Sequence, residues 1–152
     1  MYDHIDAIGW TNYLGWYEAT YASTSELRTL IETQLGDFQR IFPDKVLAVT
    51  EFGAEGSPSN AADEPGGYDF QTRVLRTHLE TYGRMQGLSG MLIWNLRDFA
   101  VAPSFGGGSI TEVVDDINLV PGLNEKGLHR YDGRPKPAAA VVRSEFAKLT
   151  GR

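Results

Sequence analysis

Three stretches of the chain have the short apolar run, bounded by polar or turn-forming residues, that is typical of a β-strand. They cover residues 5–10, 46–50 and 91–95. The middle run passes directly into Glu51, and it is continuous enough to predict a strand buried on both faces. Each run ends in aromatic or polar residues. Parallel α/β folds place their ligand sites at such strand ends.

Between and after the strands, apolar residues recur at the three- and four-residue spacing of amphipathic helices. A capping box of Ser23 and Glu26 marks the start of the first helix. Pro137, a good first-turn residue, marks the start of the last. The predicted helices run from Ser23 to Ile41, over residues 69–85 before a break at 87–90, and from Pro137 to a stop at Gly151.

The elements follow one another as strand and helix, three times over. The longest predicted loops, residues 53–68 and 100–135, are rich in glycine and proline and follow strand ends. This order predicts an α/β fold with a parallel sheet, either part of a barrel or doubly wound. Three parallel strands do not close, so both edges of this sheet lack a partner. We therefore expect either further barrel strands or self-association to complete it.

Composition narrows the range of functions. The 152 residues are 41% hydrophobic, which is enough for one core but short of the roughly 250 residues of a complete β/α barrel. The absence of cysteine excludes disulfides and thiolate metal sites. The net charge of −6 argues against a nucleic-acid partner. No apolar run approaches the roughly 18 residues of a membrane span and no signal peptide is visible, so we expect no membrane partner.

Glu51 is the first candidate for chemistry. A carboxylate at the exit of a buried strand is energetically costly to hold. Its presence there favours a functional role. The alternative is a solvated loop or N-cap carboxylate, but glutamate is a poor N-cap and no helix pattern begins after it. Residues 12–18, after the first strand, offer aromatic and polar groups for a ligand. Ordinary packing of Tyr13, Trp16 and Tyr17 is an equal alternative.

Other residues carry weaker signals. The three histidines are scattered, and His78 lies on a helix face, where we expect it to pack or form hydrogen bonds. Asp115 and Asp116 form a lone acidic pair, which is far more often solvated than metal-binding. The glycine run at 106–108 lacks the lysine and the strand–helix context of a phosphate loop, which argues against a nucleotide-binding enzyme. We expect no metal and no cofactor.

Four motifs in the same order resemble glycoside hydrolase family 2, and within it the β-glucuronidases. They are NYLGWY at residues 12–17, TEFGAE at 50–55, IWNLRDF at 93–99, and NEKG at 124–127 followed by RPKP at 134–137. The resemblance extends from about residue 3 to residue 149. It implies that residues 1–152 are a C-terminal fragment of a catalytic TIM (β/α)8 barrel, with about its last three βα units.

The resemblance implies catalytic roles for two residues. Glu51 matches the nucleophile of a retaining glycosidase, which must be ionised to attack the anomeric carbon. Tyr13 matches a tyrosine that hydrogen-bonds to this nucleophile and would keep it charged and oriented. The family's acid/base glutamate follows an asparagine at the exit of the fourth strand, and no residue here matches it. Glu55 and Glu18 lie in strand-exit loops, but the resemblance supports neither as the acid.

The resemblance also implies how a substrate is held. Trp94 matches an aromatic residue that lines the sugar site. Asn124 and Lys126 match an Asn-x-Lys pair that grips the carboxylate of a uronic acid, so the implied substrate is a terminal β-D-glucuronide. Asn12 and Arg130 are further candidates for substrate binding. Leu96 and Arg97 depart from the small and apolar residues expected there, which bears on the shape of the sugar site.

We therefore expect the longer parent protein to be a glycosidase, and the isolated chain to hydrolyse glycosides negligibly because it lacks the acid. A different class of function stays open. The chain could be a non-catalytic sugar-binding module, or a partial barrel that completes itself by association.

Overall fold

The fold is α/β, with a parallel sheet covered by helices, as the order of elements predicts. The computed structural model describes residues 2–150, apart from the side chains of Asp3 and Thr150. The parallel sheet has the order β1–β2–β3, with β1 at Ala7–Thr11, β2 at Val46–Phe52 and β3 at Leu88–Ile93. The α-helices are α1 at Thr24–Ile41, α2 at Tyr68–Tyr82 and α3 at Pro137–Thr150.

Smaller elements lie outside this sheet. An antiparallel pair joins β4, Phe99–Ala100, to β5, Leu123–Asn124. Two 3-10 helices cover Tyr2–His4 and Gly108–Glu112. Within residues 2–150, no helix is both long enough and apolar enough to cross a membrane.

The predicted capping box is present at the start of α1. The Glu26 backbone N–H donates to Ser23 Oγ at 3.3 Å, and the Ser23 backbone N–H donates to Glu26 Oε2 at 2.8 Å. Several boundaries differ from the prediction. The strand β1 begins at Ala7 rather than at residue 5, β2 extends through Glu51 to Phe52, and β3 ends at Ile93 rather than at residue 95. Residues 88–90, expected to be a break, pair with β2 as the start of β3, and α2 ends at Tyr82 rather than at residue 85. The predicted helix stop at Gly151 lies outside the described residues.

The prediction that β2 is buried on both faces is wrong for this chain. Leu47, Val49 and Phe52 are buried on the face that the helices cover. On the other face, Val46 is 49% exposed and Thr50 is exposed as well. Right-handed crossovers place consecutive helices on one side of a parallel sheet. The opposite face of this sheet therefore stays uncovered.

Two hydrophobic clusters support the strand ends. The larger one packs α1, α2 and α3 against the covered face of the sheet through residues such as Ile31, Leu79 and Val142. The smaller one joins Trp16, after β1, to Phe70 of α2 and to Ile110 in the long loop. The loops after the strands are thus packed on a core of their own, which fixes the side chains at the carboxyl ends of the strands.

Candidate functional site

The carboxyl ends of the three parallel strands are held side by side. The Asn12 backbone N–H donates to the Glu51 carbonyl at 2.8 Å, which joins the exits of β1 and β2. The Trp94 backbone N–H donates to the Phe52 carbonyl at 2.8 Å, which joins the exits of β2 and β3. The residues that follow each strand therefore share one edge of the sheet.

Gly53 allows the exits of β2 and β3 to lie in direct contact. A Cβ atom at this position would lie 2.2 Å from the carbonyl oxygen of Trp94, which is backbone and has no room to move aside. Glycine is the residue that permits such a close approach of two backbones. The glycine of the TEFG sequence thus sets the distance between the segment of Glu51 and the segment of Trp94.

Tyr13 and Glu51 are in direct contact at this edge. The Tyr13 hydroxyl donates a hydrogen bond to Glu51 Oε1, and both side chains are partly buried. Burial, together with the hydrogen bond to Glu51 and its negative charge, raises the pKa of Tyr13. The phenol is therefore a permanent hydrogen-bond donor, and it orients one oxygen of the carboxylate.

Trp94 presents an aromatic surface at the exit of β3. Its side chain follows β3, is 39% exposed, and packs edge-on against Phe99 with the ring centroids 5.8 Å apart. The peptide bond between Trp94 and Asn95 is cis. A partly exposed indole of this kind offers the flat apolar face on which a sugar ring can lie.

Lys126 and Asn124 are buried, with 2% and 5% of their surface exposed. The Lys126 ammonium lies 3.1 Å from Glu55 Oε1 and sits 5.2 and 5.3 Å from the ring centroids of Trp16 and Tyr17. Asn124 Oδ1 accepts a hydrogen bond at 3.2 Å from the Lys126 backbone N–H, which shapes the turn that carries the lysine. The ammonium is therefore already paired with an anion.

Asn12 is not brought together with these groups. Its side chain is 2% exposed, its amide nitrogen donates to the Tyr82 hydroxyl at 2.9 Å, and its amide oxygen accepts from the Leu14 N–H at 3.0 Å. The polar atoms of Asn12 thus hold the start of the loop that carries Tyr13, by contacts inside the core.

His78 continues this buried chain of hydrogen bonds, as its position on a helix face predicts. Its Nδ1 lies 2.9 Å from the Tyr82 hydroxyl and its Nε2 lies 2.7 Å from the Leu14 carbonyl. A carbonyl only accepts, so Nε2 carries the hydrogen and Nδ1 accepts from Tyr82. Burial lowers the pKa of His78 to about 4, against a smaller opposing effect of the Leu14 carbonyl.

A second buried ion pair lies in the same loops, and it was not predicted from the sequence. Lys136 Nζ lies 2.8 Å from Asp98 Oδ1 and donates to the Glu125 carbonyl at 2.7 Å. Asp98 also accepts from the Gly127 N–H at 2.9 Å. The sequence offered one signal: Asp98 and Lys136 lie within two of the four motifs. Charged residues that are buried need a partner of opposite charge.

Burial has the largest effect on the pKa values of the second ion pair and of Glu125 beside it. It raises the pKa of Asp98 and of Glu125 and lowers the pKa of Lys136. The hydrogen bond between Lys136 and Asp98 opposes the shifts of those two residues, and a hydrogen bond from Ser57 followed by the charge of Lys136 opposes the shift of Glu125. Arg130 is partly exposed and lies within electrostatic range of Asp98. It adds positive charge near the motif of Lys126.

Glu18 takes a different place from Glu51. It is exposed and lines an open cleft of about 350 Å³, together with Tyr13, Trp10 and Phe38, beside the free edge of β1.

Among residues 2–150, no group of three or more histidine, aspartate and glutamate side chains is placed to hold a metal ion. The strand ends carry a carboxylate with its hydroxyl donor and a partly exposed indole, and the loop after β5 carries a buried ammonium.

Similar proteins were found by sequence and by structure. No protein-family model matches the chain. A β-glucuronidase from Streptococcus agalactiae serotype V is 28% identical over 148 residues, which are 96% of this chain and 22% of the relative. The chain thus spans less than a quarter of the length of that relative.

The solved structures agree with this match. A Ruminococcus gnavus β-glucuronidase has a TM-score of 0.76 at 23% identity, over 97% of this chain and 23% of its own. A family 2 β-galacturonidase from Eisenbergiella tayi, bound to galacturonate, has a TM-score of 0.73 at 21% identity, over 94% of this chain and 24% of its own. The predicted resemblance to one segment of the glycoside hydrolase family 2 β-glucuronidases is therefore confirmed.

Proposed function

We propose, from this likeness to one segment of glycoside hydrolase family 2, that residues 1–152 are the C-terminal βα units of a TIM (β/α)8 barrel in a retaining β-glucuronidase. The observation that carries the proposal is the hydrogen bond from Tyr13 to Glu51 at the exits of adjacent parallel strands. The uncovered face of the sheet supports it, because residues such as Val46 and Leu92 would line the barrel interior. Remaining barrel strands would then complete the sheet at its free edges.

In this proposal Glu51 is the nucleophile. Its carboxylate attacks the anomeric carbon, the bond from that carbon to the leaving oxygen breaks, and a glycosyl-enzyme forms that water then hydrolyses. Tyr13 holds the attacking carboxylate in position. The leaving oxygen needs a proton from a second carboxyl, about 5 to 5.5 Å from the first. The chain offers no residue matching that acid, so the barrel units that precede these must supply it.

The proposed substrate is a terminal β-D-glucuronide. Trp94 provides a wall for the sugar ring, and Asn124 and Lys126 are the groups assigned to its carboxylate. Arg130 adds positive charge in the same region of an otherwise acidic chain. The predicted substrate contact of Asn12 is not part of this proposal, because the polar atoms of that side chain are used inside the core.

A mechanism-based label tests the nucleophile without the missing acid. Fluoride leaves a glycosyl fluoride without protonation, and a 2-fluoro substituent slows hydrolysis of the glycosyl-enzyme. Incubation with 2-deoxy-2-fluoro-β-D-glucuronyl fluoride should therefore leave one sugar on Glu51, located by peptide mass spectrometry. Glu51→Gln should abolish the label and the matched variant Glu18→Gln should keep it. A label on another carboxylate, or none, would contradict the assignment.

The missing acid has its own test. The isolated chain should negligibly hydrolyse a chromogenic β-glucuronide whose leaving phenol is weakly acidic, such as that of phenolphthalein, because such a leaving group departs slowly without proton donation. Turnover comparable to that of a full-length β-glucuronidase would show that a carboxyl group of this chain acts as the acid.

The exposed apolar side chains at the sheet favour a second candidate function, a sugar-binding partial barrel that completes itself by association. Leu92, in the edge strand β3, is 60% exposed, and Leu96, which follows β3, is 71% exposed. Sedimentation of the purified chain tests association directly. Binding of D-glucuronate that Lys126→Ala abolishes, without any labelling of Glu51, would favour this module over the glycosidase fragment.

A further inference from the structure

The anion that Lys126 faces in this structure is a residue of the chain itself. Lys126 Nζ and Glu55 Oε1 are 3.1 Å apart, with side chains that are 2% and 5% exposed. The two residues lie 71 positions apart in the chain, so the contact is made by packing of the loops after β2 and after β5. A buried ammonium needs such a partner, because an unpaired buried charge is strongly unfavourable.

The buried groups around Lys126 carry no excess of positive charge. Its buried charged groups are the carboxyls of Glu55, Asp98 and Glu125 and the ammonium groups of Lys126 and Lys136. Three carboxylates and two ammonium groups leave one net negative charge when all are ionised. Each of the two buried ammonium groups is already paired, Lys126 with Glu55 and Lys136 with Asp98. A further anion beside Lys126 would therefore have to share its ammonium with Glu55.

We propose that Glu55 is an internal counter-ion that occupies the place at Lys126 which a sugar carboxylate takes, so that a uronate binds only by displacing Glu55. This inference rests on the proposed function. Two carboxylates sharing one buried ammonium repel each other, and like charges brought together in a binding site lower affinity strongly. Glu55 is thus a specificity-determining residue: it opposes anionic sugars and has no such effect on neutral ones.

The two aromatic rings explain how Lys126 stays in place during the exchange. Its ammonium sits over Trp16 and Tyr17 at 5.2 and 5.3 Å, within the range of a cation–π interaction. Trp16 is fully buried, so its ring is a fixed support. The ammonium therefore keeps its position when its carboxylate partner changes from Glu55 to the ligand.

Calorimetric titration of the 152-residue chain with D-glucuronate and D-glucose tests the displacement. Glu55→Gln removes the charge and keeps an oxygen that can accept from Lys126. It should raise the affinity for D-glucuronate at least about tenfold and leave that for D-glucose unchanged. Glu55→Asp keeps the charge, so its D-glucuronate affinity should stay near the original. An unchanged or weaker D-glucuronate affinity in Glu55→Gln overturns the inference, as does an equal gain for D-glucose.

A second measurement tests the ion pair without any ligand. Breaking a buried pair from one side should lower the folding equilibrium constant in urea about a hundredfold in Glu55→Gln and in Lys126→Met, and the double variant should be no less stable than either. Additive losses would show that the two groups are not paired, which overturns the inference.

Labelling of Glu51 separates the two proposals. If Glu51 is labelled but Glu55→Gln gains no D-glucuronate affinity, the inference fails alone. If no variant binds D-glucuronate and Glu51 is not labelled, both fail.

Discussion

The stability of this chain should fall as the pH is lowered from about 6.5 to 4, because of His78. In the folded chain the buried ring is neutral, with its Nε2–H on the Leu14 carbonyl and its Nδ1 accepting from Tyr82, and its pKa is about 4. In the unfolded chain the ring is solvated, with a pKa of about 6.5. Between these values the unfolded state binds a proton that the folded state does not, so folding is disfavoured as protons are added.

The two pKa values set the size of the effect. The histidine should remove about 2 kcal/mol of stability at pH 5 and about 3 kcal/mol at pH 4, relative to pH 7.5. Below pH 4 the loss levels off, because the folded ring is then protonated as well. Asp98 and Glu125 act in the opposite direction, since burial raises their pKa and the folded state then takes up protons first. The contribution of the histidine must therefore be measured as a difference between variants.

Urea denaturation at pH 7.5 and pH 5 measures that difference. A glutamine in His78→Gln can donate to the Leu14 carbonyl and does not titrate, so this variant should lose about 2 kcal/mol less than the original chain over the same pH change. His4→Gln is the matched control, because His4 is exposed, and it should behave as the original chain does. Equal losses in the original chain and in His78→Gln, within about 0.5 kcal/mol, would refute a buried neutral histidine.

Three further variants test single positions in the structure. Gly53→Ala should destabilise the chain by at least about 2 kcal/mol, because its Cβ would lie 2.2 Å from the Trp94 carbonyl oxygen. Gly36→Ala, in α1 with no atom within 4 Å of the new Cβ, should instead stabilise it by up to about 1 kcal/mol in the same thermal and urea unfolding measurements. Tyr13→Phe should slow labelling of Glu51 by the fluorosugar about 10- to 100-fold, since it removes a hydrogen bond to a charged group. Equal labelling rates in the two proteins would show that the hydroxyl does not support the carboxylate.

Local pattern alone determined the main elements of this protein. Short continuous apolar runs located the strands, and hydrophobic spacing of three to four residues located the helices, because both patterns report on the local backbone. The side chains of Ser23 and Glu26 fixed the start of α1, since the capping contacts lie within four residues. Its position at a strand exit singled out Glu51 and the resemblance of the motifs added Tyr13, and the structure places the two in contact.

Only the tertiary structure decided which partner each buried polar group takes. The pattern of β2 indicated burial but not that one face would stay uncovered, because that depends on which other strands and helices are present. The resemblance assigns Lys126 to the carboxylate of a ligand, and only packing shows that it pairs with Glu55, 71 residues away. Asn12 reads as a ligand contact at a strand end, yet it is bound to Tyr82, 70 residues away. Such pairings depend on distances that only the folded chain sets, and desolvation makes each of them obligatory once the groups are buried.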